Sequence, residues 1–362
     1  MRVYNFAAGP ATLPLDVLER AQAELTDWAH LGMSVMEVSH RSRHFVAVAG
    51  QAEALLRELL GVSEDYEVLF LQGGATGQFS AVPLNLAAGR PVSYVNTGAW
   101  SKKAIAEGKK YATVHIAADE SASGYASTPD SEALRATLAE LPGDTAYLHY
   151  TPNETIGGVE FDYVPSTDLP LVADMSSTIM SRPIDVSRFG VIYAGAQKNL
   201  GPAGLCVVIV RKDVIGQASE HTPSVWDYAS MAKSDSMLNT PPTFGWYLLG
   251  LILQWVKDTG GLVAMGQRNQ DKAERLYAAI DDSSFYSNPV SLDARSWMNV
   301  PFLLADPTLE ADFLAGAAQA GLHNLEGHRS VGGMRASIYN AMPLEGVAAL
   351  IDFMADFERH HA

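Results

Sequence analysis

Between residues 67 and 210 the chain repeats one pattern, a short apolar run followed by a stretch with helical spacing. The runs fall at 67–71, 91–96, 145–150, 169–173, 191–194 and 205–210. Apolar runs of this kind suit strands buried on both faces, and their alternation with helices predicts a mostly parallel sheet covered on both sides. In such sheets ligands collect at the carboxyl ends of the strands. Chemistry is therefore expected in the segments just after these runs.

The flanks follow other rules. Leu15, Leu18, Ala21, Leu25 and Trp28 recur at helical spacing behind Pro14, which suits a first helical turn. A second helix is expected over 46–60, with Ala52, Leu55, Leu56 and Leu59 on its apolar face and Gly61 ending it in a left-handed cap. Beyond the Asp258-Thr259-Gly260-Gly261 break the order becomes helix, strand, helix, strand, helix, with strands near 298–304 and 334–339 and a closing helix over 343–357. A chain of 362 residues exceeds what one core usually serves. Residues 15–257 are expected to form a large α/β domain, and residues 1–14 with 258–362 a smaller α+β one.

The net charge of −16 argues against nucleic acid and anionic membrane surfaces as partners, so any anionic ligand must meet a local group of Arg, Lys or His. The most apolar stretch, 246–256, is about half the roughly 20 residues that a membrane span needs and reads as a buried helix. Residues 1–10 lack the pattern of a signal peptide, and the single cysteine, Cys206, fits a reducing compartment, so a cytoplasmic protein is expected.

Three strand ends carry candidate chemistry. Gly73-Gly74-Ala75-Thr76-Gly77-Gln78 opens a helical stretch, where glycines and free N–H groups suit either an ordinary turn or a bound phosphate. Asp174 ends the run 169–173 and is either a helix cap or the partner of a protonated ring nitrogen, a pairing that keeps a pyridine ring electron-poor. Lys198, in Tyr193-Ala194-Gly195-Ala196-Gln197-Lys198-Asn199, is a surface ammonium if taken alone. Set beside Asp174 and the phosphate turn, it is a candidate amine nucleophile whose pKa a nearby cation would lower. Trp100, after Asn96-Thr97-Gly98, serves as a ring platform or as core.

Together with Asn5-Phe6-Ala7-Ala8-Gly9-Pro10, His40-Arg41, Pro152-Asn153-Glu154-Thr155, Ser181-Arg182-Pro183-Ile184-Asp185, Asn239-Thr240-Pro241-Pro242-Thr243, Gly327-His328-Arg329 and Gly333-Met334-Arg335, these motifs make the chain resemble the phosphoserine aminotransferase family over essentially its whole length. That family is a branch of the class V, fold-type-I pyridoxal-phosphate enzymes.

The resemblance implies that Lys198 carries pyridoxal 5'-phosphate as a Schiff base and that Asp174 faces the pyridine nitrogen. It implies that Trp100 stacks on the ring and Thr155 reaches the phenolic oxygen. The phosphate would rest on Ala75, Thr76 and Gln197, with Asn239 and Thr240 arriving from the other subunit of a homodimer. Arg335 would take the α-carboxylate, while Arg41, His328 and Arg329 would take the distal phosphate or carboxylate; no metal is implied. Two positions depart from the pattern: Ala8 and Thr76 stand where some relatives place serine and arginine.

The implied reaction moves the amino group of glutamate to 3-phosphohydroxypyruvate, for serine synthesis, with Lys198 as the base. A related phosphorylated 3-hydroxy-2-oxo acid of pyridoxine synthesis is a second expected substrate. The rival readings are a transaminase using glyoxylate and a cysteine desulfurase. The latter needs a mobile, exposed thiol, whereas Cys206 lies within the apolar run 205–210.

Overall fold

The computed structural model describes residues 2–361; Met1 and Ala362, the outermost residues of the expected small domain, lie outside the described residues. Seven strands form the main sheet: β1 (Tyr66–Leu71), β2 (Val92–Asn96), β3 (Val114–Asp119), β4 (Leu148–Tyr150), β5 (Leu171–Asp174), β6 (Val191–Gly195) and β7 (Cys206–Arg211). Their order across the sheet is β1-β7-β6-β5-β4-β2-β3. β7 runs antiparallel to both β1 and β6, and every other pairing is parallel. β1, β2, β4, β5 and β6 therefore end at one edge of the sheet.

In the main sheet the strand expectations hold with one addition. β3 was not foreseen, because it is an edge strand on which only Ala117 is buried and Ile116 is 38% exposed, so it shows no continuous apolar run. By contrast β2, β4, β5 and β6 are buried along their whole length.

Helices cover the sheet. α1 (Leu15–Ala23) is shorter than its periodicity suggested: Val17 and Ala21 face inward, Leu15 and Leu25 are exposed, and a separate tight turn, Trp28–His30, follows. α2 (Arg43–Leu60) starts on Ser42, whose hydroxyl accepts the Phe45 N–H, and ends at Gly61 with φ of 65°, a left-handed cap. α3 (Gly74–Leu86) and α4 (Ala99–Gly108) open immediately after β1 and β2.

The apolar stretch near residue 250 forms α5 (Thr243–Asp258). Its Trp246 stacks on Phe70 of β1 at 4.4 Å and meets Phe45 of α2 edge-on at 5.9 Å, so this helix is core. Among the described residues no single helix is long and apolar enough to cross a membrane.

A second apolar cluster, with Phe6, Leu276, Phe302, Phe313, Met334, Leu350 and Phe357, is built mainly from the C-terminal third. It is framed by α6 (Gly261–Asp281), the antiparallel strands β8 (Asn299–Leu304) and β9 (Met334–Ser337), and α7 (Leu344–His361). The N-terminal Tyr4–Asn5 joins it by pairing in parallel with Leu322–His323. The chain then crosses back, and the Ala11 N–H donates to the Gln197 carbonyl at 2.9 Å, laying residues 7–11 over the segment that holds Lys198.

Candidate active site

Side chains from three strand ends and two helix starts line a cleft of about 110 Å³. Ala75 and Thr76 come from the first turn of α3, Trp100 from α4, Thr155 from the turn after β4, Asp174 from the end of β5, and Gln197 and Lys198 from the turn after β6. A larger hollow, of about 550 Å³, lies beside Trp28, Gln51 and Tyr247. It contains neither a buried amine nor a strand end, so the chemistry selects the smaller cleft.

The α3 turn is made by glycine. Gly73 and Gly74 have φ of 91° and 59°, a backbone that side-chain-bearing residues rarely adopt. The first N–H groups of any helix lack intrahelical acceptors, and α3 has no acidic residue in its first turn to offset its positive end. An anion is favoured there.

Lys198 is 8% exposed, and its Nζ donates to Thr155 Oγ1 at 2.5 Å. Burial lowers its pKa to about 8; the carboxylates of Asp174 and Glu154 pull it back up, and the Arg335 guanidinium pushes it further down. Asp174 is buried, which raises its pKa, while the Ser176 hydroxyl and N–H, donating to Oδ1 at 2.6 and 3.0 Å, and the Lys198 charge oppose that rise. Among the described residues no donor reaches Oδ2, which leaves its lone pairs for a ring N–H. The Trp100 ring centroid is 5.6 Å from Lys198 Nζ.

Gln197 folds back over Gly195, where a Cβ would fall 2.6 Å from its Oε1 and would displace the amide from this position. Trp100 Nε1, Thr151 Oγ1 and Asn153 Oδ1 are buried in the cleft wall without a hydrogen-bond partner. Unpartnered polar atoms of this kind are costly unless a ligand satisfies them. An amine, a carboxylate, a flat indole and a phosphate-binding helix start around one cleft fit a flat heterocycle bearing an aldehyde and a phosphate.

The remaining predicted residues do not line this cleft within one chain. Arg335 is half-buried on β9, its neighbours Met334 and Ala336 point into the core as strand alternation requires, and its Nε has no partner. Burial lowers its pKa. Arg41, His328 and Arg329 are exposed, with His328 Nδ1 engaged by Ser330 at 2.7 Å. Asn239 and Thr240 are also exposed, and the Thr240 carbonyl accepts from Gln72, next to the α3 turn, at 3.3 Å.

Some site residues were not singled out in the sequence. Ser176 was findable, because a serine two positions after an aspartate is a standard local hydrogen-bond pattern. Glu154, whose carboxylate accepts the Trp100 and Ser101 N–H groups at the start of α4, gave no such signal. Among the described residues, no group of His, Cys, Asp or Glu is placed to hold a metal ion.

A class-V aminotransferase family model matches residues 3–350. The phosphoserine aminotransferase of Azotobacter vinelandii is 58% identical over 362 residues, covering 99% of both chains. Among solved structures, the phosphoserine aminotransferase from Bacillus circulans subsp. alkalophilus superposes with a TM-score of 0.96 at 48% identity, covering 100% of this chain and 99% of that one. The pyridoxal-phosphate-bound phosphoserine aminotransferase from Trichomonas vaginalis gives 0.93 at 42% identity, covering 98% and 100% respectively.

Proposed function

This chain belongs to the class-V aminotransferase family, and from that membership we propose that it is a phosphoserine aminotransferase, moving the amino group of glutamate to 3-phosphohydroxypyruvate to give phosphoserine and 2-oxoglutarate. The observation that carries the reading is the buried Lys198 amine, with its lowered pKa, sharing one cleft with Asp174. Pyridoxal phosphate supplies, when bound, an aldehyde carbon that joins amines and a protonated ring that accepts negative charge.

The chain's own groups divide the remaining work. The N–H groups at Ala75 and Thr76, with the Gln197 side chain, bind the phosphate. The Trp100 indole covers one ring face, the Thr155 hydroxyl meets the phenolic oxygen, and the Asp174 carboxylate keeps the ring nitrogen protonated. Lys198 Nζ would be the base that takes the α-proton of the amino acid and hands it back on the far side of the amino nitrogen. Asn239 and Thr240 reach the phosphate from a second copy of the chain. The exposed Met33, Met36, Val46 and Leu238, near Arg41 and Asn239 in sequence, support a homodimer with shared sites.

Lys198 must be neutral to bond an aldehyde. With its pKa lowered to about 8, the rate at which added pyridoxal phosphate reconstitutes the apoenzyme rises with pH up to about 8 and then levels. A rate that keeps climbing toward the ordinary lysine value of 10.5 contradicts this environment for Lys198.

Arginines recognise the substrates, because planar guanidinium groups pair with carboxylate and phosphate oxygens. Arg335 takes the α-carboxylate; Arg41, His328 and Arg329 take the distal anion. Arg335→Ala therefore raises KM for every amino donor by roughly 10- to 100-fold. Arg329→Ala mainly affects the phosphorylated substrate, and the opposite pattern in steady-state kinetics reverses the two roles.

The phosphorylated 3-hydroxy-2-oxo acid of pyridoxine synthesis, with its carboxylate and phosphate at similar separation, is proposed as a second substrate of the same arginines. The division into a large domain, 15–257, and a small one, 1–14 with 258–362, is supported by the separate apolar cluster around Phe302 and Phe313. Cys206 is buried and unpaired, and burial pushes its thiol pKa up, which supports a transaminase over a desulfurase and a reducing cytoplasm as the place of action. The assay with glutamate and 3-phosphohydroxypyruvate, run beside one with glyoxylate, tests the substrate assignment; faster turnover with glyoxylate overturns it.

A further inference from the structure

We propose that Glu154 is a positioning residue that fastens the helix bearing Trp100 at the height where the indole covers the cofactor ring. This rests on the reading of Trp100 as the ring platform.

Glu154 is 1% exposed, and among the described residues no basic side chain forms an ion pair with it. Its carboxylate is satisfied by the first turn of α4. Oε2 accepts the Trp100 N–H at 2.9 Å, and Oε1 accepts the Ser101 N–H and hydroxyl, each at 2.8 Å. The Ser101 oxygen in turn accepts the Thr97 and Gly98 N–H groups, both at 2.9 Å, closing the turn. A negative charge at a helix N-terminus is favoured by the free N–H groups and the helix dipole.

Space is made for this contact. A Cβ at Gly98 would lie 2.7 Å from Glu154 Cδ, so only glycine lets the carboxylate come so close. Burial, with the nearby Asp174 charge in the same direction, raises the Glu154 pKa, and the α4 donors offset it. Each donor brings its own hydrogen to the carboxylate, which therefore works as an acceptor.

Glu154 is also the residue before Thr155, whose oxygen receives Lys198 Nζ. Two consecutive residues, Glu154 and Thr155, thus tie together the amine, the hydroxyl beside it and the backbone of Trp100. The Trp100 backbone cannot shift along the cleft without breaking the Glu154 bonds. In Glu154→Gln the shape is kept, but one acceptor oxygen becomes an NH2 group facing an N–H, so one bond to the helix start is lost.

The test is a double-mutant cycle on cofactor binding, with pyridoxal phosphate titrated into the full-length apoenzyme of wild type, E154Q, W100A and E154Q/W100A. E154Q is expected to weaken binding about 10-fold when Trp100 is present and less than about twofold in the W100A background. The near-ultraviolet circular dichroism of E154Q apoenzyme changes, while its far-ultraviolet spectrum does not.

Additive effects, or no effect of E154Q beside a clear effect of W100A, overturn this proposal alone. Unchanged binding in W100A overturns the platform reading and the proposal with it. Ser101→Ala, a milder cut in the same contact, covers the case in which E154Q does not fold. A loss of about threefold that disappears in W100A supports the proposal, and an equal loss in both backgrounds overturns it.

Discussion

Lys198→Ala lowers turnover by on the order of 10⁴-fold, because one atom is asked both to hold the cofactor and to move the substrate proton. Among the described residues no other amine is placed to substitute. The second buried lysine, Lys272, has its pKa lowered by burial to about 7, but its Nζ donates to the carbonyls of Ile338, Tyr339 and Met342 at 2.7, 2.7 and 3.1 Å. Those bonds tie it to the chain following β9, and it is absent from the cleft lining. Lys102 and Lys103 lie on α4, over the rings of Tyr125 and Trp100. The measurement is the steady-state rate with glutamate and 3-phosphohydroxypyruvate, with and without an added small primary amine. Partial recovery by the free amine is expected, and residual activity within tenfold of wild type contradicts the assignment.

Asp174→Asn produces the second-largest loss, roughly 3–5 kcal/mol or about two to four powers of ten in the rate of the glutamate half-reaction. The carboxylate is the negative group that opposes a buried positive charge, and the amide keeps the shape while removing the charge. Its effect differs from that of Lys198→Ala in a second way. Asp174 holds the Lys198 pKa up, so without it the amine titrates below about 8 and the reconstitution profile moves to lower pH. A profile that stays in place, or moves upward, contradicts the electrostatic coupling between the two side chains.

The main sheet was legible in the sequence because its central strands are buried on both faces and so read as unbroken apolar runs. β3 escaped for the converse reason, since an edge strand with one buried side chain has no such signature. The length of α1 was overestimated because Leu25 and Trp28 match the helical period, although Leu25 is exposed and Trp28 belongs to a separate turn. Periodicity alone does not distinguish a helix from a turn that happens to keep its phase.

The site divides along similar lines. Asp174 ends a strand, and Lys198, Trp100 and the glycine turn each follow one, so the rule that ligands gather at strand ends located them. Glu154 was not found, because the groups it holds lie 53 and 54 residues earlier and only folding brings them together. Arg41, His328, Arg329, Asn239 and Thr240 were reached only through family resemblance. In a single chain they remain outside the cleft, and no local pattern says what a second copy would do with them.

The proposed chemistry requires that Lys198 be the amine that carries the cofactor. Borohydride reduction of the holoenzyme, followed by digestion and peptide mass mapping, fixes the cofactor to whichever nitrogen holds it. The added mass is predicted on the peptide containing Lys198, with none left in Lys198→Ala. A stoichiometric label on Lys102, Lys103 or Lys272, or no label on a holoenzyme that still turns over, contradicts it.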